Sequence, residues 1–229
     1  MGQFIQLTAA DGNSFAAYVA QPEGTPIAAV VVVQEIFGVN SHIQQVTDRF
    51  AAQGYLAIAP ATFDRVKPEV DLGYNEAGMK EGIALKAAVA ALPGEGVLQD
   101  LQAAIDYVGK ISGRKVGIIG FCWGGLLAWR AAAKLTGLAA TVPYYGGGMT
   151  SDADIALQAK VPVMAHLSDR DHSIPMEGVT AFMKAHPQVE AFLYSADHGF
   201  NCDQRGAYDE ASAMLARERT LAFFADKLA

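Results

Sequence analysis

The feature that most constrains how this chain can fold is the stretch GFCWGG at residues 120–125. An apolar run at residues 116–119 precedes it, and a segment of helical character at residues 126–135 follows it. Glycine at positions 120 and 124 has no Cβ, so a strand can turn sharply into a helix and hold the residue between the two glycines in a strained, exposed conformation. The pattern predicts a strand, a tight turn that carries Cys122, and a helix.

Cys122 is the candidate reactive residue of this turn. Backbone N–H groups and the positive end of the helix dipole favour a thiolate at a helix N-terminus, and the thiolate is the nucleophilic form of cysteine. Free cysteine is also among the most buried residue types, so packing as a small apolar side chain is the alternative. The rest of the chain has to decide between these two roles.

Composition indicates a folded, globular protein. The chain has 229 residues, of which 52% are apolar and 18% charged, so it can bury a large core, and residues 1–229 are expected to form one domain. No apolar run reaches the length of a membrane span. The first residues, MGQFIQ, show neither a basic segment nor an apolar core of a secretory signal, which predicts a cytoplasmic location.

Charge and short motifs exclude several classes of partner. A formal net charge of −7 without clustered Lys and Arg disfavours nucleic-acid binding. The two cysteines, Cys122 and Cys202, form no C-x-x-C pair, and no spaced ligand cluster predicts a metal site. The segment QEIFG at residues 34–38 lacks the glycines of a dinucleotide fingerprint. We therefore expect no cofactor and no metal.

The order of elements predicts an α/β sheet. Strands at residues 4–7 and 15–19 flank the turn 11–13, which indicates an antiparallel hairpin, and the β-branched run 28–33 is typical of a strand covered on both faces. Further strands are predicted at 55–59, 116–120, 139–144, 161–167 and 189–194, and helices at about 43–53, 97–110, 177–185 and 208–227. The alternation favours a mostly parallel sheet of about eight strands, with helices on both faces.

Ligands of such sheets bind beyond the carboxyl ends of the strands. Residues 63–96 are irregular and rich in Gly and Pro, so we expect them to form a cap-like excursion over that edge. Asp171 and His198 each follow a predicted strand and could supply an orienting acid and a general base for Cys122. Spacing alone does not separate Asp171 from Asp169, and His172 is a weaker candidate base.

Three separated motifs resemble those of the dienelactone hydrolase, or carboxymethylenebutenolidase, family of α/β-hydrolases. They are QEIFG at 34–38, GFCWGG at 120–125, and DHSIP at 171–175 with HGF at 198–200. The resemblance covers nearly the whole chain and implies an α/β-hydrolase fold. It implies that Cys122 is the nucleophile, His198 the base and Asp171, in its D-H-x-x-P context, the residue that orients the imidazole.

The resemblance also implies roles for the loop after the third strand. Glu35 corresponds to a glutamate that interacts with the cysteine and controls its ionisation, whereas simple pairing with a nearby arginine is the structural alternative. The backbone N–H groups of Trp123 and Ile36 are the expected oxyanion donors. The remaining histidines, His42, His166 and His186, are predicted to lie at a helix start, in a strand and on the surface.

Substrate recognition follows the family less closely. Phe37 and Tyr144 are expected to form apolar walls. The family holds a substrate carboxylate with two arginines, but here Cys202 stands where the second is expected, with Arg205 three residues later, and Lys80 is the nearest cation in the cap region. A lysine provides a point charge rather than a bidentate fork.

We thus expect a hydrolase of small esters or lactones, with carboxylated dienelactones of aromatic degradation as the leading substrates. The alternatives are a broader carboxylesterase or thioesterase with the same triad, and a non-catalytic ligand-binding relative. The protein is expected to act on a small molecule, without a nucleic acid or a membrane, as a monomer or weak homo-oligomer.

Overall fold

The computed structural model describes residues 2–229. The strands are β1 (Gln3–Thr8), β2 (Ser14–Ala20), β3 (Ala28–Val33), β4 (Tyr55–Pro60), β5 (Val116–Phe121), β6 (Leu138–Tyr144), β7 (Met164–Ser168) and β8 (Glu190–Tyr194). The helices are α1 (Ser41–Ala52), α2 (Glu76–Ala90), α3 (Val97–Ser112), α4 (Trp123–Lys134), α5 (Asp152–Ile155), α6 (Met176–Ala185) and α7 (Glu210–Lys227).

The strands form one eight-stranded sheet in the order β1, β2, β4, β3, β5, β6, β7, β8. β1 and β2 make the expected antiparallel hairpin, and β2 also pairs antiparallel with β4. The pairs β3–β4, β6–β7 and β7–β8 are parallel. Strands β3, β4 and β5 are buried along their whole length, as expected for apolar strands in a parallel sheet. The predicted α/β-hydrolase architecture is confirmed.

The chain packs as two compact units, and the expectation of a single domain stays a prediction. The first unit ends at Val116, and the second begins at Gly117. In the first, α1 and α3 pack against β3 and β4. In the second, α4 packs against β6, and α7 against β6 and β7. Each unit therefore has helices seated on its own strands.

Two details differ from the sequence prediction. β7 begins at Met164 rather than at residue 161, because Pro162 has no N–H to give to a sheet ladder. The short helix α5 was not predicted, although its N-cap carries an ordinary signal: the side chain of Ser151 accepts a hydrogen bond from the backbone N–H of Asp154.

The predicted cap region contains one helix, α2. The side chain of Asn75 caps it by accepting a hydrogen bond from the N–H of Gly78. Only Gly78, Gly82 and Val89 of this helix are buried. Among residues 2–229, no helix combines the length and apolar character needed to cross a membrane.

Candidate active site

Cys122 occupies a strained turn between β5 and α4. Its φ and ψ angles are 54° and −116°, in a region that non-glycine residues rarely adopt. Its N–H donates to the carbonyl of Tyr144 at 3.1 Å, which ties the turn to the end of β6. Such strain persists only where the surroundings hold it, and it concentrates at functional sites. The side chain is partly exposed, unlike that of a core cysteine.

Close backbone approaches explain the glycines around this turn. A Cβ at position 120 would collide with the carbonyl of Gly124. A Cβ at position 125 would lie 2.5 Å from the carbonyl oxygen of Tyr144, closer than real contacts allow. Gly125 had no predicted role, although its signal in the sequence is a second consecutive glycine at a helix start. Glycine is thus required on both sides of Cys122.

Asp171 and His198 are joined by a hydrogen bond. The distance from His198 Nδ1 to Asp171 Oδ2 is 2.7 Å. Asp171 Oδ1 accepts a second bond, from the N–H of Ser173 at 2.8 Å, so both carboxylate oxygens are engaged. The Asp171 side chain is fully buried, whereas the alternatives Asp169 and His172 are exposed. The structure therefore brings together Asp171 and His198 out of these four residues.

His198 is also hydrogen-bonded to Cys122, so Asp171, His198 and Cys122 form a continuous series. Burial lowers the pKa of His198, but its hydrogen bonds and electrostatic interactions with Asp171 and Cys122 outweigh burial and raise that pKa to about 10. With one nitrogen held by a carboxylate, the other faces the thiol. This arrangement can move a proton between sulfur and imidazole.

Tyr145 packs against His198, whereas Tyr144 lies in the core. The Tyr145 ring is buried, and its centroid lies 5.2 Å from that of His198 in an edge-to-face arrangement. Its φ of 34° is a second strained angle of a non-glycine residue. The Tyr144 hydroxyl lies 2.7 Å from Thr220 Oγ1, and burial raises the pKa of this phenol. Contact of Tyr144 with substrate stays a prediction. The ring that packs beside His198 is that of Tyr145.

Arg205 lies close to the histidine loop. A Cβ at position 199 would lie 2.5 Å from Arg205 Nη1, so the guanidinium rests on the backbone of Gly199, the residue after His198. Gly199 has a φ of 88°, which favours glycine at this point independently. Cys202, in the same loop, is buried and donates its N–H to the Gly199 carbonyl. The loop thus places the Arg205 guanidinium against Gly199, the residue that directly follows His198 in the sequence.

Glu35 and its neighbours occupy the loop after β3. The Glu35 side chain is fully buried, and the hydroxyl of Tyr74 donates to its Oε2 at 3.0 Å. Ile36 and Phe37 are buried, and the Phe37 ring packs against Tyr74 at a centroid distance of 4.5 Å. Lys80 is exposed on α2. Tyr74 was not predicted as a site residue, because it lies in an irregular segment without a motif.

His166 and His186 are buried and hydrogen-bonded within the fold. His166 lies in β7 with its ring nitrogens 2.8 Å from Tyr194 Oη and 3.0 Å from Thr220 Oγ1. Burial and the nearby charge of Arg219 lower its pKa to about 3. The predicted surface position of His186 is wrong: its ring is buried against Trp129, and Nε2 donates to the Ile155 carbonyl at 2.9 Å.

A mostly parallel eight-stranded sheet with a nucleophile elbow after β5 defines an α/β-hydrolase. The family model described as "Dienelactone hydrolase family" matches residues 15–228. The chain therefore belongs to the dienelactone hydrolase family, and it is a hydrolase that acts on esters or lactones.

Individual relatives cover almost the whole chain. A carboxymethylenebutenolidase of Pseudomonas putida is 33% identical over 96% of this chain and 95% of its own. A Synechocystis protein provisionally named a carboxymethylenebutenolidase is 36% identical over 93% of this chain and 92% of its own. A crystal structure from Klebsiella pneumoniae, provisionally named a dienelactone hydrolase, superposes with a TM-score of 0.83 at 32% identity, covering 98% of this chain and 99% of that one.

Proposed function

We propose that this hydrolase cleaves small esters or lactones through a thioester between the acyl group and Cys122. His198 serves as the general acid and base, and Asp171 orients it. The observation that carries the proposal is the hydrogen-bonded series from Asp171 through His198 to the strained, partly exposed Cys122. A residue that only binds ligand has no need of a base and an orienting acid behind it.

In the acylation step, the thiolate sulfur attacks the carbonyl carbon and the carbonyl electron pair moves onto oxygen. The backbone N–H groups of Trp123 and Ile36 are the proposed donors to that oxyanion. When the carbonyl re-forms, the C–O bond to the leaving oxygen breaks, and the imidazolium of His198 gives that oxygen its proton. From a lactone, the released hydroxyl stays attached to the acyl chain.

In the deacylation step, neutral His198 removes a proton from water while the water oxygen attacks the thioester carbonyl. The C–S bond then breaks, and the thiolate is regenerated opposite the imidazolium. Asp171 holds the ring in one orientation through both steps, since its carboxylate accepts from Nδ1. For Glu35 we adopt the role that the family resemblance implies: it accepts the thiol proton when substrate binds, which leaves the thiolate beside the imidazolium of His198. When product leaves, Glu35 returns that proton to the regenerated thiolate.

Mass spectrometry of acid-quenched turnover mixtures tests the covalent step. With a slowly hydrolysed ester, the tryptic peptide of residues 116–130, which contains Cys122, is expected to gain the mass of the acyl group. The peptide of residues 185–205 contains Cys202 and serves as the internal control, which should stay unmodified. An unmodified Cys122 peptide during steady turnover of an ester whose deacylation limits the rate would contradict the mechanism.

The position of Arg205 supports a substrate that carries a carboxylate. Its guanidinium packs beside the residue that follows His198, where it can pair with an acid group near the reacting carbonyl. Phe37, Tyr144 and Lys80 remain proposed substrate contacts. The second candidate is a broader carboxylesterase or thioesterase, which is favoured by one observation: Cys202 stands where the family has an arginine.

We expect Arg205→Gln to raise KM for a carboxylated dienelactone by about 10-fold and to change KM for a neutral aryl ester less than about twofold, because only the first substrate loses a charged contact. The exposed Arg114, in the loop after α3, provides the control, since Arg114→Gln removes the same charge elsewhere. Steady-state kinetics on both substrates distinguishes an enzyme that binds a substrate carboxylate from a broader esterase. Equal effects of Arg205→Gln on both would favour the broader esterase.

A further inference from the structure

The buried Glu35 carboxylate requires hydrogen-bond donors around it. The side chain is fully buried, and it directly follows the completely buried apolar strand β3. Removing an ionised carboxylate from water is costly unless hydrogen-bond donors replace its hydration. The hydroxyl of Tyr74 is one such donor, at 3.0 Å from Oε2. Hydrogen bonds to ionised groups are roughly twice as strong as those between neutral groups.

The Tyr74 ring is held in place by aromatic neighbours. Its centroid lies 4.5 Å from that of Phe37, at an interplanar angle of 58°. On another side, the His42 ring lies 6.4 Å away in an edge-to-face arrangement. Phe37 and His42 are both buried, so the phenol cannot swing away from Glu35 without repacking its surroundings.

Backbone contacts fasten the segment that carries Tyr74 to the Glu35 loop. The N–H of Leu72 donates to the Phe37 carbonyl at 2.9 Å, and Gly38 and Asp71 form an antiparallel bridge. The Cα of Gly82 lies so close to the Ile36 carbonyl that a Cβ there would collide with it. The cap segment, residues 63–96, therefore contacts the Glu35 loop both before and after Tyr74.

We propose that Tyr74 is a positioning residue that holds the Glu35 carboxylate and links its position to the cap segment. The inference rests on the proposed function, in which Glu35 accepts the thiol proton. Tyr74 acts on the reaction only through Glu35. Because the segment that carries Tyr74 is fastened to the Glu35 loop, the position of the proposed proton acceptor depends on the packing of that segment.

A double-mutant cycle on the full-length protein tests this proposal. The variants are Tyr74→Phe, Glu35→Gln and the double variant, assayed by steady-state hydrolysis of a neutral aryl ester. We expect Tyr74→Phe to lower kcat by about 10-fold with little change in KM, because it removes the hydrogen bond that the hydroxyl donates to the Glu35 carboxylate. In the Glu35→Gln background the same change should lower kcat by less than about twofold, because the group through which Tyr74 acts is already disabled.

Tyr107→Phe is the matched control. Tyr107 is half-buried on α3, and removing its hydroxyl should leave kcat unchanged in both backgrounds. If Glu35→Gln does not fold, which thermal unfolding reveals, Glu35→Asp replaces it, since the shorter side chain withdraws the carboxylate from the phenol.

The outcomes separate the two proposals. The positioning role would be overturned if Tyr74→Phe left kcat unchanged, or if it lowered kcat by the same factor in the Glu35→Gln background as in the native protein. Either result would leave the thioester mechanism intact. A reduced kcat in Tyr74→Phe beside an unaffected Glu35→Gln would also overturn it, since Tyr74 would then act by another route. The thioester mechanism itself is tested separately, by whether the Cys122 peptide becomes acylated during turnover, and that test does not depend on this cycle.

Discussion

Replacing Cys122 by alanine is expected to lower kcat/KM for ester and lactone substrates by at least about 10³-fold, since removal of a nucleophile that acts with a base and an acid disables the whole unit. The protein should still fold. Cys122 makes no side-chain cap to α4, and its N–H bond to Tyr144 involves only the backbone. Alanine keeps that N–H, although it must adopt the same strained φ of 54°. Steady-state kinetics and thermal unfolding measure the two properties separately.

Cys202→Ala is the control for this experiment. Cys202 is fully buried, so its truncation removes one packed sulfur and is expected to lower the free energy of unfolding by about 1–2 kcal/mol. It should leave kcat/KM within about threefold, because Cys202 lies in no strained turn and no proposed step uses its thiol. Retained turnover in Cys122→Ala, with a loss in Cys202→Ala instead, would refute the proposed nucleophile.

The elbow could be predicted from sequence because its signal is local. An apolar strand, two closely spaced glycines and a helical segment all lie within residues 116–135, and their geometry depends on short-range backbone contacts. The sheet could be predicted for the same reason, since strand and helix periods are properties of consecutive residues. The choice between Asp169 and Asp171 was different. It depends on which carboxylate meets His198, and residue spacing contains no information about that distance.

Three other features depend on contacts between distant segments. His186 was predicted at the surface, yet Trp129 of α4 packs against its ring. Tyr144 and Tyr145 are adjacent tyrosines, but the Tyr145 ring packs against His198 whereas the Tyr144 hydroxyl lies beside Thr220. Tyr74 lies in an irregular segment, so its bond to Glu35 had no periodic signal. Tertiary packing determines all three positions.

We expect Asp171→Asn to lower kcat/KM by about 10²- to 10⁴-fold, because an amide cannot stabilise the imidazolium and can hold the ring in the wrong tautomer. The matched control is Asp169→Asn, two residues earlier and exposed, which should keep nearly full activity. The geometry gives the reason for the difference: Asp171 Oδ2 lies 2.7 Å from His198 Nδ1. Equal losses in the two variants would contradict a specific role for Asp171.

The same substitution should change the titration of His198. In the native protein, burial lowers the pKa of His198, but hydrogen bonds and electrostatic interactions with Asp171 and Cys122 outweigh burial. They raise that pKa to about 10, above its ordinary value of 6.5. Its stabilising contribution is therefore complete below about pH 6.5 and is lost as the pH rises through about 10, at up to about 1.4 kcal/mol per pH unit. Asp171→Asn removes one of the causes, so the pKa falls and the contribution is lost at lower pH.

Nuclear magnetic resonance of the imidazole ring, with His198→Asn to identify the signal, measures that pKa in the native protein and in Asp171→Asn. Urea unfolding at several pH values between 6.5 and 10 measures the stability, with His198→Asn as the reference that lacks this titration. A His198 signal that titrates near 6.5 in both proteins would show that the Asp171 carboxylate does not hold the imidazolium. Asp171 would then not stabilise the imidazolium in the transition state, and its role would be limited to orienting the ring through the hydrogen bond to Nδ1, beside the packing of the ring against Tyr145.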